Sequence, residues 1–553
     1  MAPKDKVFPP RWVSTAIDGF LAAIYHFTTA AVIAGCALGA KSAHSMLLSG
    51  QLGELWRQFA TQSLTFEVMS LAIAAGAVVI AALLVWRWRH ETIFLVDFEC
   101  YRPPDRLKVN YALFDKGSRE ANVFNEEAMD FQNRILAKSA LSEETFFPAG
   151  LHKSPPVANM ALAREEAELV MFNAVANLLE RTGLHPRQID VLVVNCSLFN
   201  PTPSLSAMII NKFKMKTDIE SYNLGGMGCS AGIISVGLAR KLLQSLGRRG
   251  YALVVSTENI TQNWYQGNER SMLIPNTIFR MGSAAALLSN KRSEGGRALY
   301  KLQNLVRVHL GANDEAYRCV YQHADDNGTI GVELNRDLVK VAAKAMEVNL
   351  TRLGPLVLPW GEKLSFAANW VARKVLKMHV AVYVPDFTKA FDHFCLHVGG
   401  RGVVEGLSKQ LGLTQRQMEP SANTLYWYGN TSSSTVWYSF GYVESAQGVK
   451  KGELVWQIGF GSGFKCNSAV WKALKPIKRR HNAWVHLKGR ESEAMNNLAE
   501  IVAINAAEKR VIQANGGAAI NGKANGDAAP LAATAPDAAS AKKTKSLPLR
   551  ARS

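Results

Sequence analysis

One cysteine in this chain stands where a nucleophile could be made. The run Asn223-Leu224-Gly225-Gly226-Met227-Gly228-Cys229-Ser230-Ala231-Gly232 brackets Cys229 with four glycines, and Ile234, Leu238 and Leu242 follow at helical spacing. The pattern predicts a helix that starts beside Cys229. Free backbone amides and the positive end of the helix dipole favour a thiolate there, and small neighbours let a substrate backbone come close. A buried structural cysteine in a Gly-rich turn fits the same stretch, because free cysteine also packs as a small hydrophobe.

The elements that would position this residue follow an α/β pattern. Thr92-Ile93-Phe94-Leu95-Val96-Asp97-Phe98 reads as a strand closed by Arg102-Pro103-Pro104, and residues 165–181 as an amphipathic helix. A turn at 183–186 leads to the strand 191–195, and a helix opens at the cap signal Pro203-Ser204-Leu205-Ser206. The Cys229 unit and the strand Tyr251-Ala252-Leu253-Val254-Val255-Ser256 come next. A second stretch repeats the grammar: a helix over 338–353, a strand Val380-Ala381-Val382-Tyr383-Val384, a segment 391–400 ending in a glycine pair, and a helix over 402–411. Leu425-Tyr426-Trp427-Tyr428 then reads as a strand, leading to a turn and helix start at Gly429-Asn430-Thr431-Ser432-Ser433-Ser434. Asn430 thus holds in the second half the place that Cys229 holds in the first. The predicted architecture is α/β, two parallel-sheet halves facing each other.

Composition bounds the rest. A chain of 553 residues exceeds one ordinary domain, and 48% hydrophobic residues suffice for a large core, which excludes general disorder. Seven cysteines without a CxxC pair suggest neither a disulfide framework nor a zinc cluster, and imply reducing surroundings. Apolar runs at 20–40 and 68–86 each approach the ~20 residues that cross a bilayer. A buried core helix is the other reading of each run, and a second run argues against a signal peptide. Lys4, Lys6 and Arg11 precede the first run and Arg87, Arg89 and His90 follow the second, which predicts a hairpin with both ends cytoplasmic. Asn195, Asn259, Asn327, Asn349 and Asn430 open glycosylation sequons, several of them inside core-like segments, and a cytosolic domain leaves them unused.

A net charge of +18 suits phosphate-bearing ligands and an anionic leaflet, and no nucleic-acid partner is expected. The densest basic cluster, Lys472, Lys475, Lys478, Arg479 and Arg480, reads as a solvated face. Residues 491–514 read as a polar helix, and 516–553, rich in Ala, Gly, Pro and Lys, as a disordered tail.

Several runs together carry a resemblance. Val96-Asp97-Phe98-Glu99-Cys100-Tyr101-Arg102-Pro103-Pro104, Asn200-Pro201-Thr202-Pro203-Ser204-Leu205-Ser206-Ala207-Met208, residues 222–232, Ser256-Thr257-Glu258-Asn259-Ile260-Thr261, Phe279-Arg280-Met281-Gly282, His397-Val398-Gly399-Gly400-Arg401 and residues 429–434 resemble the 3-ketoacyl-CoA synthases of very-long-chain fatty acid elongation. The likeness covers about 92–475 and the two apolar runs before it. It implies a thiolase-like fold of two βαβαβ-type halves, with a two-helix membrane anchor at 1–90, the nucleophile's half at 91–330, the half with His and Asn at 331–490, and a polar helix and tail at 491–553. It implies a condensing enzyme of the endoplasmic reticulum membrane facing the cytosol, without cofactor or metal. A homodimer in contact with membrane lipid and other elongase subunits is the expected assembly.

The resemblance also implies the site: Cys229 as nucleophile, His397 as the active-site histidine and Asn430 as the partner amide. His309 and His393 match further family histidines, and each is read as hydrogen-bonded structure rather than as a general base. Family members commonly carry a histidine where this chain has Tyr426, which keeps a hydroxyl and loses pH switching.

Those residue types fit decarboxylative Claisen condensation. A long-chain acyl-CoA acylates Cys229, malonyl-CoA loses CO2, and His397 and the Asn430 amide hold the enolate oxygen. Attack on the acyl-cysteine then releases a 3-oxoacyl-CoA longer by two carbons. The Cys229 N–H and an amide of the loop Gly459-Phe460-Gly461-Ser462-Gly463, assigned to Gly461, are expected to hold the tetrahedral oxyanion. Three other readings stand beside this one. A degradative thiolase wants a second acid/base cysteine, and Cys466 lies in the unmatched context Lys465-Cys466-Asn467. A soluble type III polyketide synthase shares the Cys, His and Asn set without the apolar runs, and a non-catalytic acyl-binding membrane scaffold does not need all three residues.

Overall fold

The computed structural model describes residues 92–335 and 337–514, together with Gly76. The apolar runs at 20–40 and 68–86 and the tail at 516–553 lie outside the described residues, apart from Gly76. Two compact units divide the chain, Met1–His90 and Glu91–Ser553, and all that follows concerns the second. Among the described residues no helix is long and apolar enough to cross a membrane.

In chain order the strands are β1 (Phe94–Cys100), β2 (Lys108–Val109), β3 (Thr145–Phe146), β4 (Val191–Asn195), β5 (Glu220–Leu224), β6 (Tyr251–Thr257) and β7 (Ser283–Ser289). They continue with β8 (Tyr300–His309), β9 (Val320–Ala324), β10 (Ile330–Leu334), β11 (His393–Leu396), β12 (Leu454–Gly461) and β13 (Lys465–Ala473). The helices that matter here are α1 (Met160–Thr182), α2 (Ala231–Ser245), α3 (Leu338–Val357), α4 (Trp360–Lys374), α5 (Arg401–Leu411), α6 (Gln415–Tyr428), α7 (Thr435–Tyr442) and α8 (Glu493–Ala514).

One sheet of nine strands runs in the order β5-β4-β6-β7-β1-β8-β13-β12-β11. β4 pairs in parallel with β5 and β6, and β11 with β12. Every other pairing in it is antiparallel. A mixed sheet thus replaces the expected parallel halves. Between β12 and β13 the reason is local, since residues 462–464 are too few for the crossover that a parallel pair requires. β1 meets β8 through only Phe94↔Lys301 and Leu95↔Tyr300, which marks a seam. The division at 330/331 does not coincide with it, because β8 lies earlier and pairs with β13 from Tyr300 to His309.

The core strands show why they are interior. β4 reads Val-Leu-Val-Val-Asn and is buried throughout, the apolar run of a strand covered on both faces. α2 packs on β4 and β6 and also on β12 and β13, while α7, buried at every position, packs on β1, β11 and β12. A helix without a polar side belongs in the interior. The elements that follow Cys229 and Asn430 are therefore the central helices of the unit.

Two strand expectations are corrected. Residues 425–428 form the last turn of α6, which starts at a reciprocal capping box between Thr414 and Gln417. Their aromatic character reflects burial of that helix end: Tyr428 and Trp427 pack against Trp484 and His486. Residues 380–384 form no strand and lie largely exposed. The basic cluster also changes meaning, because Arg479 turns inward, bonding Asp97 of β1 at 2.6 Å and Glu444 at 2.5 Å over the Phe98 ring. Arg181 of α1 bonds Asp97 at 2.8 Å and also pairs with Glu99, and His481 lies 2.8 Å from Glu444. Burial alone would raise the Asp97 and Glu444 carboxyls, but the arginines hold both below the ordinary range.

Candidate active site

Cys229 lies in the turn between β5 and α2, one residue before the N-cap Ser230. Gly228 holds the turn at φ +70°, and a Cβ there would collide with the Ser462 backbone nitrogen, so both conformation and space demand glycine. Gly461 packs on the same turn, where a Cβ would come within 2.6 Å of Ser230 Oγ. Cys229 is half-buried. Burial pushes its thiol up to about 12, the Ser432 side chain pulls it down, and the Glu258 carboxylate adds to the rise. The expected thiolate setting is thus outweighed, because lost hydration costs more than the amides of one helix start return.

His397 directly follows β11, and its backbone N–H donates to the Ile458 carbonyl at 2.9 Å, extending the β11–β12 pairing. The ring is buried, and burial alone lowers its pKa to about 3, so the imidazole is neutral. Its Nδ1 lies 2.8 Å from Thr435 Oγ1, and that hydroxyl donates to the Ser432 carbonyl at 2.9 Å. A hydroxyl has one proton, so with it given to Ser432 the Thr435 oxygen accepts from Nδ1–H. Nε2 is left with a free lone pair.

Asn430 follows Gly429, whose φ is +62° and where a Cβ would lie 2.5 Å from Arg280 Cγ. The Asn430 N–H donates to the Ile278 carbonyl and its carbonyl accepts from the Arg280 N–H, both at 3.0 Å. Arg280 fixes that turn from within. Its guanidinium lies over the Phe147 ring at 4.5 Å, donates to Thr145 Oγ1 at 2.8 Å and to the Thr277 carbonyl at 2.9 Å, and is lowered by burial to about 9. Asn430 Oδ1 accepts from the Ser432 N–H at 2.8 Å, and Nδ2 donates to the Gly399 carbonyl at 3.3 Å. The second amide proton remains for a ligand.

Cys229, His397 and Asn430 line one cavity of about 410 Å³, together with Glu258, Ser432 and Gly461. Its further wall is apolar, with Phe279, Val320, Val332, Leu334, Leu338 and Phe464. Tyr317, Tyr321, Gln322 and Gln410 also line it, and the apolar part of the wall suits an alkyl chain.

The other sequence candidates lie off this cavity's lining. His309, exposed at the end of β8, accepts at Nδ1 from the Gly311 N–H at 3.0 Å. His393 is buried between Glu453 at 3.0 Å and Gln447 at 3.2 Å, fastening the start of β11. Tyr426 is half-buried in α6, where its carbonyl accepts from the Ser142 N–H at 2.8 Å and its ring meets Trp427 edge-on. The exchange of a family histidine for Tyr426 therefore falls away from the cavity wall. Cys466 is buried in β13 and its thiol is raised by burial, so it brings no second sulfur to the cavity.

Sequence reasoning passes over three residues. Glu258 accepts from the Leu198 N–H at 3.0 Å, the Ser197 N–H at 3.3 Å and Ser432 Oγ at 3.0 Å. An acid directly after a fully buried strand was the available signal for it. Ser432 and Thr435 had none, because hydroxyl residues after a turn read first as helix caps.

Comparison with solved structures places the fold. CsyB complexed with CoA-SH matches with a TM-score of 0.55 at 17% identity, over 69% of this chain and 100% of that one. A type III pentaketide synthase from Neurospora crassa matches at 0.52 and 18%, over 69% and 99%. Together with the mixed sheet they define the thiolase-like α/β class. Sequence comparison goes further. The model for FAE1/type III polyketide synthase-like protein matches residues 85–375, and that for the C-terminal part of 3-oxoacyl-[acyl-carrier-protein] synthase III matches 388–473. The chain is 49% identical over 439 residues to 3-ketoacyl-CoA synthase 4 of Arabidopsis thaliana, covering 79% of this chain and 84% of that one. It is 50% identical over 444 residues to 3-ketoacyl-CoA synthase 9 of the same plant, covering 80% and 85%. The chain belongs to the 3-ketoacyl-CoA synthase family.

Proposed function

We propose that this chain joins a long-chain acyl-CoA to malonyl-CoA by decarboxylative Claisen condensation, in very-long-chain fatty acid elongation, through an acyl-Cys229 intermediate. One observation carries the reading: a single cavity presents the Cys229 thiol, an imidazole with a free Nε2 and an amide with a spare proton. As Sγ attacks the thioester carbonyl, His397 Nε2 takes the thiol proton; the new S–C bond forms, the C–SCoA bond breaks, and the proton passes to the departing CoA sulfur. A neutral pair suits this route, since the proton moves only when the bond forms.

Malonyl-CoA follows. Its C–CO2 bond breaks, the electron pair enters the thioester as an enolate, and the Asn430 amide donates to the enolate oxygen. His397 donates from Nε2 to the same oxygen after Nε2 has taken a proton from solvent, its Nδ1–H still held by the Thr435 oxygen. Thr435 thereby positions the proton of the imidazole for each half-reaction. The enolate carbon attacks the acyl carbonyl, the Cys229 N–H and the Gly461 amide hold the oxyanion, and the S–C bond breaks as Cys229 takes the proton back from His397 Nε2. The apolar wall receives the acyl chain.

A membrane hairpin in residues 1–90, an endoplasmic reticulum location with the catalytic unit in the cytosol, contact with other elongase subunits and a homodimer belong to the same reading. The flanking charges support its topology, and so does the burial of the sequon residues Asn195, Asn259, Asn349 and Asn430, where a glycan has no room. The test is to incubate the membrane-bound full-length protein with labelled malonyl-CoA and a series of acyl-CoAs and to weigh the products. A 3-oxoacyl-CoA two carbons longer than one of the substrates is expected, and no extension of any chain would sink the proposal.

A further inference from the structure

Outside the cavity, α4 and the segment after it stand apart from the packing seen elsewhere. Glu362 is the only buried residue of α4. Trp360 is 76% exposed, Leu364 64% and Trp370 53%, and Phe366 and Val371 are exposed as well. At 100° per residue Trp360, Leu364 and Val371 form one stripe, while Glu362 and Asn369 stand on the opposite side.

That polar side is what fastens the helix. Glu362 accepts from Tyr383 Oη at 2.6 Å, the Asp386 N–H at 2.9 Å and Lys389 Nζ at 2.7 Å. Asn369 donates to the Ala381 carbonyl at 2.9 Å and accepts from the Tyr383 N–H at 3.1 Å. The returning segment is thus strapped to the polar side of α4, and it too presents apolar residues outward, Val382 and Val384. An apolar surface held outward by its own hydrogen bonds marks a contact site.

Charge selects the occupant. Across residues 360–384 the only acid is Glu362, buried and paired with Lys389, whereas Arg373, Lys374 and Lys377 are exposed and Lys363 lies over the Trp360 ring at 5.1 Å. Tryptophans with basic residues bordering an apolar stripe are the composition of a helix lying in a bilayer interface. A second copy packed face to face would set these cations against their own counterparts.

We propose that residues 360–384 form a membrane contact separate from residues 1–90: an interfacial helix and strap whose basic residues meet anionic lipid headgroups while Trp360, Leu364 and Trp370 enter the acyl-chain boundary. This does not rest on the catalytic assignment, and its test does not read activity. Full-length protein carrying the photocrosslinker benzoylphenylalanine in place of Leu364, Trp370 or, as control, the exposed Lys450 is reconstituted in phosphatidylcholine vesicles with and without phosphatidylserine. After irradiation, adducts are identified by mass. Lipid adducts are expected from positions 364 and 370 and not from 450, with a yield that rises with phosphatidylserine. Changing Lys363, Arg373, Lys374 and Lys377 to Gln should remove that rise, by up to about fivefold per charge. Adducts to residues 1–90 or to a second copy, or no lipid adducts at 364 and 370, would overturn the proposal.

Discussion

Cys229 and His397 show how burial, more than sequence context, decides the state of the pair proposed to do the chemistry. Burial raises the thiol and lowers the imidazole, so each shift removes charge from the resting cavity. Alkylation of Cys229 by iodoacetamide, read by peptide mass, should therefore climb with pH through and beyond the ordinary thiol range. A plateau below neutrality would mean a preformed ion pair. Glu258 raises the thiol further, so Glu258→Gln should move the alkylation profile to lower pH. Thr435 gives a second prediction at this scale. Thr435→Val removes the partner of Nδ1 and should slow condensation by about 100-fold, while Thr435→Ser, which keeps the hydroxyl, should restore most of it. Equal activity of the Val and Ser variants would remove the proposed role. Much of this level was legible: the glycines around Cys229 and the Gly-Asn-Thr-Ser run both lie at the cavity. The partners of those residues were not, because Glu258 and Thr435 meet them only through contacts distant in sequence.

Among the elements, β1 is tied to α1 and to the segment before α8 by a network of buried charge. Arg479 faces both Asp97 and Glu444, so Arg479→Met would leave Asp97 to Arg181 and Glu444 to His481 alone and should destabilise the protein by about 2–3 kcal/mol at neutral pH. Both carboxyls titrate below their unfolded values, so the stability they contribute is present above the ordinary carboxylate range and lost as pH falls through their folded values. Chemical denaturation across pH should accordingly show the gap between wild type and variant closing in acid. A gap that persists unchanged would assign the loss to packing over Phe98 instead. Helices with caps and buried apolar strands were legible here, as Ser204 before its helix and the run of β4 show. The errors share a cause. Aromatic residues at 425–428 and alternating valines at 380–384 both suit a strand, and only their surroundings, the packing around α6 in one case and side chains of α4 in place of a partner strand in the other, decide otherwise. Strand direction was illegible for a similar reason: β7 is as apolar as its parallel-paired neighbour β6, yet it runs antiparallel to it.

At the scale of the whole unit, the site draws on both sides of the seam between β1 and β8. Cys229 comes with α2, beside β4 and β6, whereas His397 follows β11 and Asn430 precedes α7. In the proposed mechanism the two half-reactions divide accordingly, since holding the acyl group needs Cys229 and forming the enolate needs the donors. Single-turnover labelling of the full-length protein with radioactive acyl-CoA, with CO2 release from malonyl-CoA followed in parallel, tests that division directly. Cys229→Ala should carry no covalent acyl label and form no product. Asn430→Ala should still take up acyl label while its CO2 release and product formation fall by about 100-fold to 1000-fold. Covalent acyl label on Cys229→Ala, or condensation at the wild-type rate by Asn430→Ala, would contradict the account.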